Sequence, residues 1–287
     1  MANARDILRR IRSVKGTQQI TKAMKMVAAA KLRRAQDRIN RARPYADTLN
    51  RVLASLAART EHSHPLLEQR EGNRAWLVVI TSDKGLCGAF SHNLLREADH
   101  LLASDRWENP GVVAIGRKAV EHFRKSEWEL VHEEATMISD LKPDDGPRVA
   151  RFLMDAFDER RVDTIWMLYN SFVSMLRQEH RLVRVLPVEP PETVGEDEGP
   201  EVDYLYEPDP DTLLGELLPR QVEVQVQTAV FDSIAAEHAA RMTAMEMATK
   251  NATEMIDKLT LLYNRTRQAA ITKELIEIVS GAEALEQ

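Results

Sequence analysis

Nothing constrains the fold of this chain as much as what its two ends lack. Residues 220–280 contain neither Gly nor Pro, and residues 1–58 contain only Gly16 and Pro44. Residues 59–219 hold nine of the eleven Gly, eleven of the twelve Pro and all four Trp. Gly and Pro are the strongest local breakers of regular structure. The chain therefore reads as long helix, globular insert, long helix, with divisions at 1–58, 59–208 and 209–287.

Apolar spacing supports both helices. From Ala28 the sequence places Ala28, Leu32, Ala35, Ile39, Ala42, Ala46, Leu49, Leu53 and Leu56 at alternating steps of four and three. Met245, Ala248, Ala252, Met255, Leu259, Leu262, Thr266 and Ala269 do the same near the other end. A 3.5-residue repeat is the signature of a coiled-coil seam and predicts a left-handed supercoil. Helices joined by a globular insert pair most simply with each other, and then run antiparallel. Pro44 removes one backbone donor while the pattern stays in phase, which predicts a local kink. Traced backward, the first seam passes Lys25, Thr21 and Gln18 before Val14, Ile11 and Ile7. Either the seam shifts phase onto Ile20, Met24 and Val27, or this polar stretch faces something other than the sister helix.

The insert alternates strand and helix patterns. Strands are expected at 75–81, 111–116, 128–132, 164–169 and 181–188. Helices are expected at 89–103, 117–125 and 147–160. Continuous apolar runs such as Trp76-Leu77-Val78-Val79-Ile80 suit strands covered on both faces, and the alternation implies a mostly parallel, Rossmann-like sheet. Residues 181–188 alternate apolar and polar as an edge strand does. From Glu189 to Asp211 there are ten acids and no Lys or Arg. This is a solvated connector near 189–208, with Pro208, Pro210 and Pro219 punctuating entry to the last helix. The fold class is thus mixed α/β, a long antiparallel coiled coil with an inserted α/β domain.

Charge is unevenly divided. Residues 1–43 carry thirteen Lys/Arg against Asp6 and Asp37, in a chain whose net charge is -6. A basic arm on an acidic protein suits nucleic acid, anionic lipid or an acidic protein surface. Nucleic-acid readers usually interleave aromatics or glycines with their bases. Residues 1–43 have no aromatic and one Gly, which argues against nucleic acid. The single cysteine, Cys87, excludes a disulfide framework within the chain and fits a reducing compartment. No uncharged apolar run approaches the ~20 residues of a membrane-spanning helix. The first residues lack the apolar core of a signal peptide.

Candidate chemistry is sparse. A strand followed by Gly85-Leu86-Cys87-Gly88 invites a nucleotide-binding reading, since amides at a helix start can hold phosphate. Neither G-x-G-x-x-G nor the P-loop pattern occurs, which favours a tight strand-to-helix turn. Cys87 between glycines reads as a small packed residue. His62 and His64 lack further metal ligands nearby, and no Ser/His/Asp arrangement is identifiable. Nothing argues for a catalytic centre, a metal or a cofactor of the chain's own. A nucleotide-binding enzyme built on residues 73–188, or a scaffold with a basic nucleic-acid arm, stand as the alternatives.

The termini carry a resemblance. Residues 11–31 (IRSVKGTQQITKAMKMVAAAK) and 263–282 (YNRTRQAAITKELIEIVSGA) closely resemble the two terminal signatures of the gamma subunit of F-type ATP synthases. Residues 82–89 (SDKGLCGA), 204–210 (YLYEPDP) and 239–245 (AARMTAM) are similar to further segments of that family. Gly16 stands where Asn is the more usual residue.

The resemblance implies a central rotor shaft. The coiled coil would sit in the bore of the alpha-beta hexamer, and the insert below it against the epsilon subunit and the membrane ring of c subunits. Ion flow, of protons or sodium, would turn the shaft and drive the catalytic beta subunits, so the chain itself would be no enzyme. By similarity, Met24, Lys25, Arg241, Arg267, Gln268 and Thr272 would touch the alpha and beta subunits. One thiol and the absence of a transit peptide fit a bacterial subunit, peripheral on the cytoplasmic face of the plasma membrane.

Overall fold

A computed structural model describes residues 4–57, 64–189, 207 and 209–285. Among the described residues there are five α-helices and one five-stranded sheet. In chain order they are α1 (Ala4–Ala57), a 3-10 turn (Pro65–Leu67), β1 (Arg74–Ile80), α2 (Phe90–Leu102), β2 (Glu108–Ile115), α3 (Arg117–Phe123), β3 (Glu129–Glu134), α4 (Asp145–Asp158), β4 (Thr164–Phe172), β5 (Gln178–Leu186) and α5 (Pro210–Leu285). The insert's strands and helices lie where the sequence patterns place them. Apart from Glu189 and Glu207, the acidic connector lies outside the described residues. The chain forms two compact units, Met1–Ala28 with Met242–Gln287, and Ala29–Arg241.

The larger unit is built on the sheet, in the order β3-β2-β1-β4-β5. Every neighbouring pair is parallel except β4 with the edge strand β5. Ala75, Leu77, Val79, Val112 and Ala114 face Leu94, Ala98 and Leu102 of α2 and Val120 and Phe123 of α3. On the other face, Val78, Ile80, Val113, Met167 and Tyr169 share a core with Val149, Leu153 and Phe157 of α4. That core also takes Leu32, Ala35, Leu49, Leu53 and Leu56 of α1, and Leu214, Leu218, Val222, Val226 and Val230 of α5. The unit therefore reaches beyond the expected divisions at 58 and 209. One 14-residue helix, α4, is too small to cover a five-stranded face, so the inner parts of both long helices complete it. Ile39 packs partly buried against the same core, and Gln221 of α5 donates to Asn50 of α1 at 2.7 Å.

The α5 helix starts earlier than its Gly- and Pro-free stretch. Asp209 caps it, accepting from the Thr212 amide at 3.0 Å and from Thr212 Oγ1 at 2.7 Å. These bonds hold the Asp209 carboxyl below its ordinary range. Pro210 takes the first helical position, where a missing N–H costs nothing. Pro219, expected to punctuate the entry, lies inside the helix, as Pro44 lies inside α1. Buried Leu214, Leu218 and Val222 on either side of Pro219 hold that stretch against the core and offset the lost backbone bond.

In the smaller unit the two helices run side by side in opposite directions. Gln18 Nε2 donates to Thr253 Oγ1 at 2.7 Å, Thr21 and Thr249 hydroxyls meet at 2.7 Å, and Lys25 Nζ reaches Glu246 Oε1 at 2.8 Å. The partner number falls as the α1 number rises. The α1 stripe keeps its phase through this polar stretch. Thr21 is 8% exposed, whereas Ile20 and Val27 are 61% and 57% exposed. The phase shift onto Ile20, Met24 and Val27 does not occur, because the facing α5 surface supplies Thr249, Thr253 and Glu246 as polar partners.

The α5 stripe differs from the expected one. Met255 and Leu262 are 51% and 47% exposed, while Ile256, Leu259 and Tyr263 are half-buried. At ~100° per residue, Ile256 and Tyr263 stay within ~20° of the Met245 direction, and Met255 and Leu262 swing ~80–100° away. The buried stripe follows the helix's 3.6-residue period rather than a strict 3.5.

The polar seam is testable on the full chain. Thr21→Val and Thr249→Val should each cost about 1 kcal/mol, and the double substitution less than their sum. Denaturant unfolding of the three variants measures this; strict additivity would mean that the hydroxyls do not interact.

Candidate functional site

Open α/β sheets bind ligands outside the carboxyl ends of the strands, where the strand order reverses. In this sheet β1 leads outward to β2 on one side and borders β4 on the other, so that point lies between the ends of β1 and β4. The α5 helix fills it. Ala236 packs with Cys87 and Phe90 of the turn after β1, and Phe172 and Ala240 border the same cluster. Ser171, at the end of β4, donates to Asp232 Oδ2 at 3.0 Å.

The turn after β1 is tied down from several sides. Asp83, 3% exposed, accepts from the Arg117 amide at 3.0 Å and the Ser139 amide at 2.6 Å. Its carbonyl accepts from the Arg117 guanidinium at 2.9 and 2.7 Å. The Asp83 carboxylate thus caps the start of α3 and fastens the turn to the loop at Ser139. Ser82 and Ser91 hydroxyls meet at 2.7 Å, and Cys87 lies buried with its sulfur 3.8 Å from Ser82 Oγ. Gly116, at φ 95, is required because a Cβ there would lie 2.5 Å from the Thr81 carbonyl oxygen. Leu86 takes φ 64 and is 62% exposed, presented outward by this anchored turn. This is packing and anchoring, and no nucleophile, base or metal set is assembled. Among the described residues no three His, Cys, Asp or Glu are placed to hold a metal ion.

Arg241 is the chief anchor. It donates to the carbonyls of Lys84 and Gly85, both at 3.2 Å, and pairs with Glu237 at 2.5 Å. Burial pushes the Glu237 carboxyl up, opposed by the charge and hydrogen bond of Arg241. His238 Nδ1 lies 3.1 Å from Arg241 Nη1 and accepts from it, which requires a neutral ring. Burial, reinforced by the charges of Arg241 and Lys31, depresses the His238 imidazole to about 4. Asp232 is likewise pushed up by burial, partly offset by the Ser171 hydrogen bond.

The six residues expected at a partner surface separate into groups. Arg241 is 9% exposed and turned inward, unlike the surface placement expected of it: its two terminal guanidinium nitrogens are directed at the Lys84 and Gly85 carbonyls, the Glu237 carboxylate and the His238 ring. The SDKGLCGA and AARMTAM segments flagged in the sequence are thereby joined, which no single spacing in the sequence could reveal. Lys25 is engaged with Glu246, and Met24 is half-buried beside it. Arg267, Gln268 and Thr272 are exposed, in an unbroken exposed run of α5 from residue 267 to 281. Arg267 lies over the Tyr263 ring at 5.9 Å. The same run exposes Ile271, Leu275, Ile276, Ile278 and Val279, at 48% to 68%. This apolar end, missed as a site by residue-by-residue reading, was signalled by the loss of any partner pattern beyond Ala269.

Comparison with known proteins places these observations. A family described as ATP synthase matches residues 3–285. The ATP synthase gamma chain of Solibacter usitatus is 50% identical over 98% of both chains. That of Desulforamulus reducens is 47% identical over the whole of both. Among solved structures, a chain of the Euglena gracilis mitochondrial ATP synthase OSCP/F1/c-ring, in rotational state 3, is similar with TM-score 0.70. Its identity is 22%, over 98% of this chain and 94% of that one. A chain of the Tetrahymena thermophila mitochondrial ATP synthase central stalk and c-ring gives 0.58 at 23% identity, over 80% of this chain and 99% of that one.

The His238 environment sets a pH dependence. The folded ring stays neutral to about 4, whereas an unfolded His protonates near 6.5. Between these values the unfolded chain binds more protons, so stability is full above pH 6.5 and falls as pH drops toward 4. The loss should reach about 2–3 kcal/mol, allowing for partial solvent screening. Thermal unfolding of wild type and His238→Gln at pH 7.5 and pH 5 measures it; the same acid loss in both would remove His238 as the cause.

Proposed function

The chain belongs to the ATP synthase gamma-chain family, and we propose that its two helices form the shaft that couples ion flow to the catalytic subunits. It is the gamma subunit of an ATP synthase, the rotor of the central stalk. The helices pair antiparallel, in a coiled coil whose seam runs through Ala28, Leu32 and Ala35 on α1, with Leu259 on α5. Burial of the α1 residues at 4% or less and the ladder from Gln18–Thr253 to Lys25–Glu246 support this.

The observation that carries the coupling role is the exposed run of α5 from 267 to 281. A helix normally buries an apolar stripe, and an exposed one needs a partner. Here Ile271, Leu275 and Ile278 lie at steps of four and three, edged by Arg267, Gln268 and Thr272. This end sits in the bore of the alpha-beta hexamer. Arg267 and Gln268 face stator carboxylates, for which the planar guanidinium fork is suited, and Met24 and Lys25 contribute on α1. A shaft that contacts its three surrounding sites unequally gives each a different favoured conformation, since only differential contact shifts an equilibrium.

The chain is a non-catalytic subunit, and ATP chemistry resides on the beta subunits. The filled crevice at the switch point supports this over the nucleotide-enzyme alternative. The sheet unit meets the epsilon subunit and the ring of c subunits. No helix among the described residues is long and apolar enough to cross a membrane. Attachment is peripheral, through the complex, on the cytoplasmic face of a bacterial plasma membrane.

Co-expression with alpha and beta subunits tests the reading. The chain should co-purify at one copy per three alpha and three beta. Arg267→Ala should preserve that stoichiometry and lower ATP-driven ion pumping about tenfold, the worth of one charge-assisted hydrogen bond. Any other stoichiometry, or tight nucleotide binding by the isolated chain, would overturn the rotor reading. Unchanged pumping would remove Arg267 from the contact surface.

A further inference from the structure

Where α5 crosses the ends of β1 and β4, its polar anchors fall on two margins of the helix. Gln225 donates to the Arg184 carbonyl of β5 at 2.9 Å, and Asp232 accepts from Ser171 of β4 at 3.0 Å. These two α5 positions are seven residues apart and differ by only ~20° around the axis. Arg241, nine residues beyond Asp232, lies ~180° from it and grips the Lys84 and Gly85 carbonyls. Glu237, ~40° from Arg241, holds that guanidinium in place.

Between the margins the helix presents a floor of small or smooth side chains, Val222, Val226, Ala229, Ser233 and Ala236, each nearly or wholly buried. Such a floor resists lifting the helix, because lifting exposes apolar area. It resists rolling poorly, since small side chains interlock little with the strands. Directional bonds on the margins oppose roll. At a helix radius of about 5 Å, a roll of ~20° moves a margin group by about 2 Å, enough to break a hydrogen bond. A roll in either direction strains both margins.

We propose that the two-margin grip, Gln225 and Asp232 on one side and Glu237 with Arg241 on the other, is a torque lock that fixes the rotational setting of α5 on the sheet. It acts by positioning: torque delivered to the sheet unit passes to the shaft helix without roll. The inference rests on the rotor reading. It adds that coupling depends on contacts made within the chain, between α5 and the sheet.

The test uses the complete ATP synthase in vesicles and reads ions pumped per ATP hydrolysed. Ser171→Ala with Gln225→Met opens one margin, and Glu237→Gln with Arg241→Met opens the other. Each should lower the ratio less than twofold, and all four together at least fivefold, with assembly and ATP hydrolysis retained. Restoring Glu237 and placing Arg241→Lys in the four-fold variant should recover the ratio to within twofold of wild type, because Lys again donates to the turn carbonyls. A four-fold variant that pumps as wild type, or no recovery with Lys, overturns the lock. Should the four-fold variant not assemble, the two single-margin variants decide through the torsional stiffness of single rotating complexes. The lock predicts at least 1.5-fold more compliance in each, and wild-type stiffness in both overturns it. Failure of the rotor reading looks different: the wild-type complex would lack this chain or pump no ions.

Discussion

The structure depends on one helix, α5, serving two environments without interruption. Residues 220–280 offer no Gly or Pro at which it could stop or bend sharply. Its first part must satisfy a sheet face that α4 leaves half-covered, and its last part has no such face to satisfy. The composition changes accordingly. Val222, Val226, Ala229 and Ala236 are fully or almost fully buried, whereas Ile271, Leu275 and Ile278 stand about half or more exposed. The helix carries both compositions on one continuous backbone, with Pro219 confined to its first part, where burial offsets the lost bond.

Most of the architecture is legible in the sequence because it rests on local signals. The strands of the sheet are continuous apolar runs bounded by turn residues, and the insert's helices carry one apolar stripe each. What was not legible is set by partners distant in the chain. Phase along α5 is an example. Met255 and Ile256 are equally apolar, and a 3.5-residue template admits either, but burial is decided by the cumulative rotation of the helix and by what α1 presents. The polar stretch Gln18–Thr21 is another. Periodicity allowed a phase shift or an outside partner, and the resolution lay in Thr249 and Thr253, more than two hundred residues away. Pro219 was misread for the same reason: its cost is local, and the burial that offsets it is tertiary.

The exposure of the candidate site residues was legible only where exposure is the default. Arg267, Gln268 and Thr272 are on the surface, as charged and polar residues usually are. Arg241 is the exception. Its reassignment from an outward contact to an inward anchor follows from backbone carbonyls of a turn near residue 84, and carbonyls leave no trace in side-chain patterns. The same turn looked suggestive of phosphate binding because it is Gly-containing and precedes a helix. Gly88 instead answers to backbone geometry, at φ 61, and the turn's carboxylate, Asp83, is engaged by the amides of Arg117 and Ser139.

The buried Glu237–Arg241 pair carries the argument about rotation one step further. Removing two charges from water is expensive, and a hydrophobic pair of similar size often gives equal or greater stability. Stability alone is therefore a poor reason for an ion pair at this depth. Its raised carboxyl and the depressed imidazole of His238 beside it both register the expense of that burial. What a charge pair offers that Leu or Met cannot is direction, since a guanidinium bonded to two carbonyls and a carboxylate has one good orientation. In a static domain that specificity would have little use. In a helix that must not turn in its seat while torque passes through it, direction is the property required.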